Sequence, residues 1–73
     1  MKTTQTTTGQ RESAAVAAVR RALLMSGTSQ RDLEDMSEGE GLSCKEIVEI
    51  LQENGASKSL TSSQVAHYIT YYV

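Results

Sequence analysis

The C-terminal part of the chain contains the same helix-start signal twice. Ser43 is followed three residues later by Glu46, and Thr61 is followed three residues later by Gln64. This is the spacing of a capping box, in which each side chain accepts a hydrogen bond from the other residue's backbone N–H. An apolar residue precedes each cap and another follows it four residues later, as in a hydrophobic staple. The sequence therefore predicts two helices with defined starting points between residues 42 and 73.

An alanine-rich segment predicts a helix in the first half of the chain. Gln10 to Ser26 contains three apolar residues at the spacing of one helical face: Val16, Val19 and Leu23. Gly27 is a suitable stop, because glycine readily takes the left-handed conformation of a helix C-terminus. Ser29, with Asp32 three residues on, then offers an N-cap for a short second helix that ends near Met36. This helix is expected to turn Leu33 and Met36 towards the core.

The remaining segments complete an all-α chain. Ser37 to Gly41 is predicted to be a loop from its glycines and charged residues. Helix three is predicted from about Ser43 to Asn54, with Gly55 as its stop, and helix four from about Thr61 to the end. Their predicted inward-facing residues are Ile47, Ile50, Leu51 and Val48 in helix three, and Val65, Tyr68, Ile69 and Tyr72 in helix four. We expect one domain of three or four helices over residues 10–73, after a flexible Thr-rich tail over residues 1–9.

Length and composition limit what such a domain can be. A chain of 73 residues buries only a modest fraction of its surface, so self-association is the expected extra source of stability. The single cysteine, Cys44, allows no disulfide framework, and no apolar stretch is long enough to span a membrane. We therefore expect a cytoplasmic protein. The sequence contains no nucleophile with a matching base and no closed set of metal ligands, so we expect no catalysis, metal or cofactor.

Charge is distributed unevenly along the chain, although the net charge is only −2. Eight of the nine acidic residues lie between Asp32 and Glu53, and Asn54 to Val73 contains none. Residues 1–31 contain five basic residues and one acidic residue, Glu12. The two ends are thus mildly basic around an acidic middle, a pattern that permits contact with nucleic acid at the ends.

Helix four has a small polar outer face that could contact DNA. Serine, glutamine, histidine and tyrosine side chains hydrogen-bond base edges or phosphates, and no carboxylate on this helix would repel the DNA backbone. Basic residues elsewhere in the chain could hold phosphates. The predicted DNA-binding residues are Ser62, Ser63, Gln64, His67 and Tyr71 on helix four, together with Lys58, Arg20 and Arg21.

Residues 43–69 resemble the helix-turn-helix core of winged-helix regulators, with the arginine-repressor DNA-binding domain nearest in pattern. The resemblance rests on a capped support helix that ends at Gly55, and on Thr61, Val65 and Ile69 in a Thr-x-x-x-Val-x-x-x-Ile pattern. It implies a dimeric transcriptional regulator whose fourth helix enters the major groove of duplex DNA.

Two other interpretations remain open. Residues 35–55 also resemble a degenerate EF-hand, with Asp35, Ser37 and Ser43 at loop positions 1, 3 and 9 and Glu46 at position 12. That resemblance implies a calcium-responsive module. The negative net charge and the lack of basic residues on helix four instead favour a protein–protein interaction module. Such a small helical adaptor or inhibitor would act through its acidic middle and its tyrosines.

Overall fold

The computed structural model describes residues 13–73 as four helical segments, with no strand in that range. The predicted tail over residues 1–9 and the first residues of the predicted first helix, 10–12, lie outside the described residues. The described segments are α1 (Ala14–Ser26), α2 (Gln30–Glu34) with a π-helical continuation (Asp35–Gly39), α3 (Cys44–Glu53) and α4 (Ser62–Tyr72). The predicted all-α fold class is confirmed.

Side-chain caps fix where the helices begin. Both predicted capping boxes are present. Ser43 Oγ accepts from the Glu46 N–H at 3.1 Å, and Glu46 Oε1 accepts from the Ser43 N–H at 2.9 Å. The Thr61–Gln64 box has corresponding distances of 3.2 and 3.0 Å. Two further caps start α1 and α2, at Ser13 and at Ser29 with Asp32. Each helix therefore begins where the sequence satisfies otherwise free N–H groups.

Glycines in the left-handed conformation fix where three of the segments end. Gly27, Gly41 and Gly55 have φ angles of 69°, 68° and 114°. The residue after each glycine donates its N–H, over 2.9 Å, to a carbonyl group that lies four or five residues before the glycine. These pairs are Thr28 to Leu23, Leu42 to Met36 and Ala56 to Leu51. The bonds at Gly27 and Gly55 are those of the Schellman arrangement and confirm the two predicted stops. The bond from Leu42 to Met36 spans one residue more, because it follows a π-helical turn.

The prediction of a loop over Ser37 to Gly41 is wrong for its first three residues. The chain continues from α2 as a wide π-helical turn, closed by a hydrogen bond of 2.8 Å from the Glu40 N–H to the Asp35 carbonyl. Because a glycine in a helix costs only about 1 kcal/mol, Gly39 is accommodated as the last residue of this segment. The chain then turns at Gly41, where the following Leu42 bonds back to Met36 and both side chains pack against the core.

The core lies between α1, α3 and α4, with Leu33 of α2 fully buried beside them. Its members are Val16, Val19, Ala22, Leu23, Leu33, Ile47, Val48, Leu51, Ala56, Leu60, Val65 and Tyr68. Two predictions of burial are wrong. Ile50 is only half-buried, because the buried stripe of α3 is rotated towards Val48. Tyr72 is 42% exposed, because it lies in the last turn of α4, where its ring contacts Tyr68 and the guanidinium group of Arg20 rather than the core.

Replacing Gly55 by alanine is predicted to destabilise the fold. Its φ of 114° is strained for an L side chain, and a Cβ would lie 3.0 Å from the Met25 carbonyl oxygen. We expect Gly55→Ala to lower the free energy of unfolding by about 1–3 kcal/mol. Gly39→Ala is the matched control, since Gly39 has an ordinary φ and open space around its Cβ position. Urea denaturation followed by circular dichroism measures both, and equal midpoints would contradict this account of the α3 terminus.

Candidate nucleic-acid interface

α4 presents a polar face to solvent, because its apolar residues turn towards the core. Val65 and Tyr68 are buried and Ile69 is half-buried on the inner side. We name the opposite side the α4 outer face; its exposed residues are Ser62, Ser63, Ala66, His67, Thr70 and Tyr71. None of these side chains is a carboxylate. The hydroxyl of Thr70 donates to the Ala66 carbonyl of its own helix at 2.8 Å, which leaves the two serines as the more available hydroxyl groups.

The Gln64 side chain forms part of the capping box that starts α4. Its side-chain oxygen accepts from the Thr61 N–H, and the residue is half-buried. Only the amide NH2 of this side chain remains for another acceptor. Of the predicted DNA-binding residues on α4, Gln64 is thus the one whose orientation is already fixed by a cap.

His67 joins α4 to the start of α1. Its Nε2 lies 3.3 Å from Ser13 Oγ, which also accepts the Val16 N–H as the cap of α1. The ring of Tyr71 lies 4.9 Å from the His67 ring, at an interplanar angle of 50°, and Tyr71 is 69% exposed. Ser13 is therefore a neighbour of this face that the sequence analysis missed. Ser13 and His67 are 54 positions apart in the sequence, and no local sequence pattern indicates their contact.

Arg20 lies against the tyrosines at the end of α4. The carbon of its guanidinium group is 5.2 Å from the ring centroid of Tyr72 and 5.9 Å from that of Tyr68. The two tyrosine rings are stacked, with centroids 5.0 Å apart. A guanidinium group over aromatic faces is held by cation–π attraction. Arg20 is thus placed beside the inner stripe of α4, away from Ser62 and Ser63.

Gln30 of α2 hydrogen-bonds two residues at the C-terminal end of α4. The sequence analysis did not predict these contacts. Its Nε2 donates to the Tyr72 carbonyl at 2.9 Å, and its Oε1 accepts from the hydroxyl of Tyr68. The same Nε2 lies 3.5 Å from a carboxylate oxygen of Glu34. One amide group therefore satisfies a carbonyl at the helix end and a nearly buried phenol.

Arg21 and Lys58 line two separate depressions near the loop that leads into α4. Arg21 lines a groove together with Ser57, Ser59 and Leu60, whereas Lys58 shares a surface depression with Glu49, Gln52 and Glu53. The two carboxylates offset the positive charge of Lys58 for an approaching phosphate. The structure thus brings Arg21 towards two hydroxyl groups near the start of α4, and leaves Lys58 among acids.

The segment that resembles an EF-hand has a different geometry. Asp35–Gly39 is wound into helix, where a calcium loop would be open, and Glu46 Oε1 is occupied by the cap of Ser43. Within residues 13–73, no three His, Cys, Asp or Glu side chains gather in a way that could hold a metal ion. Cys44 is free, half-buried and packed against the core.

A comparison of the chain with protein-family models, with curated proteins and with solved structures finds no match. The class that the described residues define is a small all-helical domain, compatible with a helical bundle or with a helix-turn-helix-like arrangement. None of the helices in residues 13–73 is long and apolar enough to cross a membrane.

The two adjacent arginines are predicted to contribute unequally to stability. Arg20→Ala removes a guanidinium group that stacks on Tyr72 and Tyr68, so we expect a loss of about 0.5–1 kcal/mol in the free energy of unfolding. Arg21→Ala, at an exposed position on the same helix, is expected to stay within about 0.5 kcal/mol of the parent. Arg20→Lys keeps the charge but loses the planar stacking, and should fall between them. Urea denaturation compares the three variants, and a larger effect of Arg21→Ala would contradict the assignment.

Proposed function

We propose that this protein is a small helix-turn-helix-like DNA-binding transcriptional regulator that places α4 in the major groove. The observation that carries the proposal is the α4 outer face, which is exposed, polar and without a carboxylate. The hydroxyls of Ser62 and Ser63 and the imidazole of His67 can hydrogen-bond base edges or phosphates. The methyl group of Ala66 can contact the methyl group of thymine without steric conflict.

The arrangement of α3 and α4 supports this use. α3 and α4 pack on one core, and residues 54–61 connect them. Thr61 caps the N-terminus of α4, so that Ser62 and Ser63 occupy its exposed first turn. The N-terminus of a helix carries a partial positive charge and attracts phosphate. α3 would then act as the support helix, and the N-terminal half of α4 would meet the DNA.

Among the described residues, few cations lie near α4 to hold the DNA backbone, which limits the expected affinity. Arg21 is the best placed, since it is exposed and lines a groove together with Ser57 and Ser59. Arg20 stacks on tyrosines, and Lys58 lies among acids. One to three phosphate contacts per chain would give a salt slope of roughly −1 to −3, at about −0.9 per phosphate. A homodimer, which the proposal includes, would present two α4 helices and double these contacts.

Binding to duplex DNA should depend on salt and on Arg21. With a labelled duplex in low salt, fluorescence anisotropy is expected to detect binding at tens of micromolar protein or below, roughly the range of weak non-specific complexes. Arg21→Ala should weaken binding and make the salt slope shallower by about 0.9 per chain, or about 1.8 for a dimer. Lys45→Ala, which removes the same charge from an exposed site on α3, is the control and should change neither. No binding by the parent protein at these concentrations would reject the proposal.

A carboxylate on the α4 outer face should abolish DNA binding without disturbing the helix. Ser63 lies in the first turn of α4, where aspartate is favourable for the helix dipole. Ser63→Asp is therefore expected to leave thermal stability equal or slightly higher, while lowering DNA affinity at least about tenfold by repulsion of phosphates. Ser63→Asn has nearly the same shape without the charge and should retain binding. Equal affinities of the two variants would exclude α4 as the DNA-contacting element.

A protein–protein interaction module is the second candidate, and the exposed tyrosines favour it. Tyr71 and Tyr72 are 69% and 42% exposed at the end of α4, and arginine and tyrosine are common anchors of protein interfaces. This function predicts no DNA binding by the parent protein. It also predicts that Tyr71→Ser, at a position that is 69% exposed, abolishes the copurification of a host protein and leaves the melting temperature unchanged.

A further inference from the structure

Asn54 and Gly55 form a dipeptide whose side chain and backbone can react with each other. The Gly55 nitrogen can attack Cγ of Asn54, because glycine has no side chain to obstruct the approach. A bond forms between this nitrogen and Cγ, the bond from Cγ to Nδ2 breaks, and Nδ2 leaves as ammonia with the proton that Gly55 loses. Water then opens the resulting succinimide and yields aspartate or isoaspartate. The chain contains no other asparagine, so deamidation of asparagine can start only at this dipeptide.

The C-terminal end of α3 keeps the two reacting groups apart. Asn54 is the C-cap and has a ψ of 12°, so that the Gly55 nitrogen nearly eclipses the nitrogen of Asn54 and is turned away from its Cβ. The Gly55 N–H donates to the Gln52 carbonyl at 3.2 Å, and Asn54 Nδ2 donates to the Ile50 carbonyl at 2.8 Å. Ring closure therefore requires rotation about the Cα–C bond of Asn54 and the loss of both hydrogen bonds.

Only the last turn of α3 and the loop after it have to open for this rotation. Asn54 and Gly55 are both exposed, so water reaches the dipeptide. The Gln52 side chain holds the loop closed, because its Nε2 donates to the carbonyls of Ser57 and Leu60, each at 3.3 Å. Helix ends and exposed loops open at a lower free-energy cost than the whole chain. Local opening of the α3 end is therefore the step that controls the reaction.

We propose that Asn54 is a site of spontaneous deamidation that is gated by the C-terminal end of α3, and that the reaction weakens this end. A carboxylate at position 54 cannot donate to the Ile50 carbonyl, and it places a negative charge at the negative end of the helix dipole, next to Glu53. Isoaspartate also adds a methylene group to the backbone, which displaces the Schellman bond from Ala56 to Leu51. The inference does not depend on DNA binding.

Incubation at mildly alkaline pH tests the gate, because the attacking nitrogen must lose its proton. Mass spectrometry of the tryptic peptide over residues 46–58 measures conversion of Asn54. The native chain should convert at least about tenfold more slowly than the chain in guanidinium chloride, since two hydrogen bonds must break first. Gln52→Ala should accelerate native conversion at least about threefold, whereas Glu49→Ala, at an exposed position of α3, should not. No conversion of the unfolded chain, equal rates in both states, or equal rates of the two variants overturns the proposal.

Substitution at position 54 tests the effect on stability. Asn54→Asp represents one product, and Asn54→Ala removes the same hydrogen bond to Ile50 without adding a charge. At neutral pH, Asn54→Asp should melt about 2–4 °C below Asn54→Ala, because its carboxylate opposes the helix dipole. The difference should shrink at about pH 3, where this carboxyl group is mostly protonated. Equal melting temperatures at neutral pH, or a difference that does not change with pH, contradict the weakening of the α3 end by charge.

Discussion

Hydrogen bonds at the helix ends are the constraint on which the rest of this small structure depends. A free N–H or carbonyl group at a helix end must be satisfied, and a side-chain cap contributes about 1 kcal/mol towards a total stability of about 5–15 kcal/mol. Here Ser29, Ser43 and Thr61 form reciprocal boxes, and Gly27, Gly41 and Gly55 close the ends. By fixing the first and last residue of a helix, the caps determine which residues are helical, and packing then selects the face that turns towards the core. Thr61 thus sets the start of α4, and with it the residues of its first turn.

The sequence predicted those features that are local and left out those that depend on packing. Capping boxes and glycine stops involve residues three to six positions apart, so their pattern is visible in the chain itself. The rotation of α3 towards Val48 depends on where the neighbouring helices lie, which periodicity does not determine. The contacts of Ser13 with His67, Gln30 with Tyr68, and Arg20 with Tyr72 join residues 38 to 54 positions apart. The candidate site was therefore predicted as a list of residues on α4, but not its connections to α1 and α2.

Gln64 and Arg20 were both predicted to contact DNA, but each makes a contact that stabilises the fold. Gln64 was predicted both as a cap and as a DNA contact, and its oxygen is committed to the cap. Arg20 and Arg21 are adjacent in sequence, but a helix separates neighbours by about 100°, so they meet different surroundings. The first stacks on tyrosines, and the second lies beside serine hydroxyl groups. The sequence analysis predicted phosphate contacts for both arginines. Of the two, Arg21 is the one that remains a candidate for this role in the proposed function.

The comparison of α3 with α4 bears on whether the α4 outer face has a function. Both helices start with the same signal, but the exposed side of α3 carries Glu46, Glu49 and Glu53, whereas that of α4 carries none. Serine, threonine, histidine and tyrosine are weaker helix formers than glutamate, lysine or alanine, and an acidic residue in the first turn would favour the helix dipole. Stability alone would therefore select a surface like that of α3. Because the caps and the inner stripe already specify α4, its polar outer face without carboxylates supports the proposed contact with duplex DNA, whose phosphates would repel carboxylates.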